Sequence, residues 1–159
     1  MGQRVTIPAA LQGVTRLCID SSPLIYLLEN HPVYAALVEA IFDYAAENGV
    51  HSVTSAITDT EVLTQPKRNN DHSLVATYRQ FLTGTPDELT IYAIDISIAE
   101  TAADIRARYG AKTPDAIQIA TAIVSRSQAF LTNDRNLKRV SGVQIILLDD
   151  LTKWNTLTE

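Results

Sequence analysis

The chain has 159 residues, 46% of them hydrophobic and 19% charged, enough for one compact domain and too few for two independent cores. A single cysteine, Cys18, excludes an internal disulfide framework and a cysteine-based zinc cage. With no signal-peptide pattern, the expected compartment is the reducing cytoplasm. Thirteen Lys+Arg against eighteen Asp+Glu leave a net charge of −5, so any nucleic-acid binding must come from local charge placement. No apolar stretch approaches the roughly 20 residues of a membrane span.

Residues 1–15 lack sustained periodicity and read as a leader of uncertain order. Arg16–Ile19 is a short apolar run suited to a buried strand. It stops at Asp20-Ser21-Ser22-Pro23, where Ser22 is the expected N-cap and Pro23 the first helical residue, with a helix through Leu24–Glu29. Asn30-His31-Pro32 breaks that helix. From Val33, Leu37, Ile41 and Tyr44 fall at helical spacing until Asn48-Gly49, and Val50–Val53 is a second strand. Ser55 caps a helix running to about Thr64, which Gln65-Pro66 should end. Asp71 or Ser73 opens another, with Leu74, Tyr78, Phe81 and Leu82 on its buried face. Leu89–Ile94 alternates and is β-branched, a third strand. Ile98, Ala102, Ile105 and Tyr109 stripe a helix over Ser97–Tyr109, closed by Gly110. Thr113-Pro114-Asp115 then reads as cap, proline and first-turn acid of a helix whose Ala116–Val124 is apolar nearly all round. Ala129–Leu131 and Val143–Leu148 are the last strands, before a polar tail containing Trp154.

Strands alternating with helices predict an α/β sandwich on a mainly parallel sheet, with ligands beyond the carboxyl ends of the strands. Two acids fall at such ends: Asp20 after Ile19, and Asp134 after Leu131-Thr132-Asn133. Asp115 lies in the first turn of the most apolar helix, and Glu61 shares a helical face with Ile57 and Thr58. If they converge, each pair of charges 4 Å apart repels by about 4 kcal/mol at an effective dielectric of 20, unless a cation or protons intervene. Oxygen donors alone point to Mg²⁺, with Mn²⁺ as a substitute. Each acid also has an ordinary role open to it. Asp115 suits a helix N-terminus, Asp20 and Asp134 suit loops or caps, and Glu61 suits the surface. His31, His51 and His72 have no ligand spacing, and Cys18 in an apolar strand reads as a small hydrophobe.

Four segments in order resemble the PIN-domain ribonucleases, and among them the small single-domain VapC-type toxins. They are Cys18–Glu29, the helix carrying Glu61, Thr113–Ala122 with its Asp-Ala…Ala-Thr-Ala pattern, and Phe130–Leu137 with Thr132-Asn133-Asp134. The likeness runs from about Leu17 to Leu148 and implies a three-layer PIN-like fold over 16–159. It further implies an acidic site of Asp20, Glu61, Asp115 and Asp134. Asp20, Asp115 and Asp134 would hold Mg²⁺, Glu61 would help hold a metal or orient the attacking water, and Thr132 would brace the carboxylates. Asp59 competes with Glu61 for its role, and Asp95, at a strand end, lies outside the site. Arg106, Arg108 and Lys112 before Asp115, and Arg135, Lys138 and Arg139 after Asp134, are the expected RNA contacts. The implied activity is Mg-dependent endoribonuclease, leaving 5′-phosphate and 3′-hydroxyl ends. The implied partners are an RNA substrate, a cognate antitoxin presenting an Arg to the acids, and a second copy of the chain as homodimer. A general RNA-processing PIN nuclease, or a non-catalytic PIN-fold interaction protein, are the alternatives.

Overall fold

The computed structural model describes residues 4–84 and 88–152. Five strands form one wholly parallel sheet: β2 (Arg16–Ile19), β3 (His51–Ser55), β4 (Leu89–Tyr92), β5 (Ala129–Thr132) and β6 (Gln144–Leu147), in the order β4-β3-β2-β5-β6. The chain thus builds outward from β2 to β4, then returns to the other side of β2 for β5 and β6. The order reverses between β2 and β5, and that is where a ligand crevice is expected in an open α/β sheet.

Strand side chains alternate, so each face needs its own cover. Leu17, Ile19, Ala129 and Leu131 face a core completed by α2 (Ser21–Leu28), α3 (Ala35–Glu47), α4 (Ile57–Arg68) and α5 (His72–Leu82). Cys18, Val53 and Phe130 face the opposite core, built with α6 (Ile96–Tyr109) and α7 (Thr113–Val124). This is the expected three-layer α/β/α sandwich. Among the described residues no helix is long and apolar enough to cross a membrane.

Several local expectations are corrected. The described part of the 1–15 leader is built into the domain. Val5–Thr6 (β1) pairs in parallel with Leu151–Thr152 (β7), and Ile7–Ala10 forms a short helix, α1. Ile7, Leu11 and Val14 are buried in the first core, where their apolar area repays ordering the segment. The N-cap of α2 is Asp20, not Ser22. Its Oδ1 accepts from Ser21 N at 2.8 Å, and Pro23 sits at the third helical position, where its missing N–H costs nothing. Thr113 is likewise the first residue of α7 rather than its cap, which is Lys112, without a side-chain bond. Pro66 does not end α4. It is buried, and bonds from Asn69 N to Gln65 O and Asp71 N to Pro66 O hold the turn around it. Strand β4 stops at Tyr92, leaving Ala93 and Ile94 exposed. The N-cap of α4 is Ala56, without a side-chain bond, rather than Ser55, whose Oγ accepts from Ile57 N at 3.2 Å. Gly110 ends α6 in the left-handed conformation (φ 67°). Trp154 lies outside the described residues.

Candidate active site

The β2/β5 pairing builds the centre. Ile19 lies opposite Leu131, and Asp20 N donates to Leu131 O at 2.9 Å, so Asp20 and Thr132 emerge side by side. Thr132 Oγ1 donates to Asp20 Oδ2 at 2.8 Å and accepts from Asp134 N at 3.1 Å, tying the two strand ends together. Asp134 Oδ1 in turn accepts from Asn136 N, capping a 3-10 turn at Arg135–Arg139. Asp20 is 6% exposed and Thr132 fully buried, whereas Glu61, Asp115 and Asp134 are half-buried.

The electrostatics show which acids share a field. Burial pushes the Asp20 carboxyl up to about 6; hydrogen bonds from Thr132 and Ser21 oppose this, and the charges of Glu61 and Asp115 add to it. Asp115 is also raised, by burial first and then by the charges of Asp134 and Glu61, with Lys112 pulling the other way. Helices α4 and α7 therefore bring Glu61 and Asp115 to the ends of β2 and β5. Asp59 is not among the charges acting on Asp20 or Asp115. Burial raises its carboxyl, and its Oδ1 has no partner among the described residues. Asp95 caps α6 through Ile98 N at 2.9 Å. Cys18 lies one residue back from Ile19, facing the other core, and burial pushes its thiol up, so it offers no thiolate.

A family model for the PIN domain matches residues 17–143. The chain belongs to the PIN domain family. No curated protein matches the sequence. Among solved structures, a chain of VapBC2 from Rickettsia felis, bound to a DNA fragment from its promoter, superposes with a TM-score of 0.69 at 14% identity, over 83% of this chain and 98% of that one. DNA-bound VapBC from Salmonella typhimurium gives 0.66 at 21% identity, over 84% and 98%. A toxin–antitoxin complex from Klebsiella pneumoniae gives 0.62 at 22%, over 83% and 97%. At these identities the likeness is one of fold.

The donor set of this PIN domain suits a hard divalent cation. It is oxygen-only, and the raised Asp20 carboxyl marks a charge that a cation would relieve. Among the described residues no three His, Cys, Asp or Glu side chains form a ready-made metal cage.

The basic residues are less free than their positions suggest. Arg135 and Lys138 both reach Asp150, at 3.8 and 2.8 Å. Arg139 donates to the carbonyls of Tyr109 and Asn136, and Arg106 to that of Ala111 at 3.2 Å. Arg108 lies over the Tyr109 ring. Lys112 is exposed, and its charge acts on Asp115.

Sequence reasoning passed over the polar residues behind the acids. Gln118, fully buried, donates through Nε2 to Glu61 Oε1 at 3.2 Å and to Thr58 Oγ1 at 2.8 Å. A glutamine inside the apolar run Ala116–Val124 was the available signal, because a buried amide must find partners.

Proposed function

We propose that the chain is a Mg-dependent endoribonuclease, the toxin of a type II toxin–antitoxin pair. The observation that carries the nuclease reading is the mutual electrostatic influence of Asp20, Glu61, Asp115 and Asp134 at the point where the strand order reverses. The toxin reading is supported by the three superposed chains, all from toxin–antitoxin complexes and each covered over nearly its whole length.

Asp20, Asp115 and Asp134 would hold the cation. When bound, it supplies polarisation of the scissile phosphate and offsets the negative field that otherwise repels RNA. Thr132 fixes the Asp20 carboxylate by donating to Oδ2, while Ser21 N holds Oδ1. Glu61, held at Oε1 by Gln118, aligns the attacking water and accepts its proton. Lys112, on the rim beside Asp115, takes a backbone phosphate and sets the register of the strand without reading its sequence.

The test is RNA cleavage by purified protein. Cleavage should need Mg²⁺ or Mn²⁺, stop with EDTA, and fall by roughly a hundredfold or more in Asp20→Asn and in Asp115→Asn. Full activity in either variant refutes the site. Co-expression with a cognate antitoxin, sought as a small gene beside this one, should yield a complex and relieve growth arrest. Active nuclease with neither toxicity nor complex would move the assignment to RNA processing.

A further inference from the structure

We infer that Gln118 is a positioning residue for Glu61, its amide held with the nitrogen outward by a one-way hydroxyl relay through Thr58 and Thr54. The inference rests on reading the acids as a nuclease site, which it deepens. Thr54, Thr58 and Gln118 come from β3, α4 and α7, and all three are fully buried. Thr58 and Glu61 are one turn apart on α4, as Asp115 and Gln118 are on α7.

The direction of the relay follows from counting protons. Ile19 lies just beyond the last β2–β3 register pair, Cys18 with Val53, and its carbonyl oxygen is 2.7 Å from Thr54 Oγ1. A carbonyl can only accept, so the single Thr54 hydroxyl proton is spent there. Thr54 Oγ1 is 2.8 Å from Thr58 Oγ1, and with its own proton used it must accept from Thr58. Thr58 is left as an acceptor, and the group 2.8 Å from it must be the Gln118 nitrogen. The second proton of that nitrogen is then aimed at Glu61 Oε1.

Turning the amide over would set Gln118 Oε1 against a hydroxyl with no proton left and against a carboxylate oxygen. The fold instead leaves Gln118 Oε1 buried with no partner among the described residues, a cost accepted for the orientation of the nitrogen. A neutral donor holds one oxygen of Glu61 without cancelling its charge, as an arginine would. The other oxygen remains for water. The relay begins at the residue before Asp20, so it also sets Glu61 relative to that acid.

Four variants and two readouts test this. Gln118→Met keeps the length and removes the donor. Thr58→Val keeps the shape and removes the relay, and Thr58→Ser keeps the hydroxyl. Gln118→Met and Thr58→Val should lower kcat for RNA cleavage by roughly tenfold or more with KM little changed, because aim and not binding is lost. Thr58→Ser should recover most of the rate. The side-chain amide resonances of Gln118 in the full chain should shift in Thr58→Val and in Glu61→Gln, and stay in place in Thr58→Ser. A purely packing role predicts equal behaviour of Thr58→Val and Thr58→Ser. That result, parental kcat in Gln118→Met, or a Gln118 amide indifferent to Glu61→Gln overturns the inference. If the parent itself does not cleave RNA, the nuclease reading fails, and the amide resonances still decide whether Gln118 donates to Glu61.

Discussion

Replacing Asp20 by asparagine separates the energetic cost of the acidic site from its use. The Asp20 carboxyl is raised from 3.8 to about 6, so at pH 7 the folded state holds an ionised group at a cost of about 3 kcal/mol, taking ~1.36 kcal/mol per pH unit. Asparagine removes that charge and can still cap α2 by accepting from Ser21 N. Its nitrogen, turned towards Thr132, deprives that buried hydroxyl of an acceptor, a loss of about 1 kcal/mol. The balance is about 2 kcal/mol in favour of Asp20→Asn, or roughly 4–8 °C in Tm for a chain of this size. The sign with pH follows from the raised carboxyl: between about 6 and 3.8 the folded state binds more protons than the unfolded, so the parent gains stability as pH falls through that window. By pH 4 the difference should close. The assay is a melting series in EDTA at pH 7 and pH 4, repeated with Mg²⁺, which should raise the parent more than the variant. An Asp20→Asn protein that melts below the parent in EDTA at pH 7, or keeps its lead at pH 4, refutes the reasoning.

Thr132→Val should push the Asp20 carboxyl above about 6, since the hydroxyl bond lowers it, while Thr132→Ser leaves it in place; carboxyl NMR titration in EDTA reads both. Asp150→Ala frees Arg135 and Lys138, and RNA binding should tighten with a steeper salt dependence, by a slope of about 0.7 for each phosphate gained. An unchanged slope would place that rim away from RNA. Tyr78→Phe removes the 2.5 Å bond from a buried phenol to Glu29 and should cost about 1–2 kcal/mol in urea unfolding, with cleavage unaffected.

How much of this was legible in the sequence differs between elements for physical reasons. The short apolar runs at Arg16–Ile19 and Ala129–Leu131, and helical stripes such as Ile98, Ala102 and Ile105, are local signals, so the α/β class and the placement of acids at strand ends could be read directly. The order of the leader carries little local signal, because α1 is only four residues long and β1 finds its partner far along the chain, at Leu151–Thr152. The caps were misplaced by one or two residues because Asp20 and Ser22 are equally good in isolation. The β2–β5 crevice decides between them by presenting Thr132 to Asp20. The ion pairs of Arg135 and Lys138 with Asp150 cross from one element to another, and three of the four links in the relay from Ile19 through Thr54 and Thr58 to Gln118 and Glu61 join residues dozens of positions apart. Period and propensity act over a few residues and determined the layers and the strand ends. Which acids feel one another, which cations are spent on Asp150, and which way the Gln118 amide points are pairwise facts of hydrogen bonding and charge, and only the packed chain decides them.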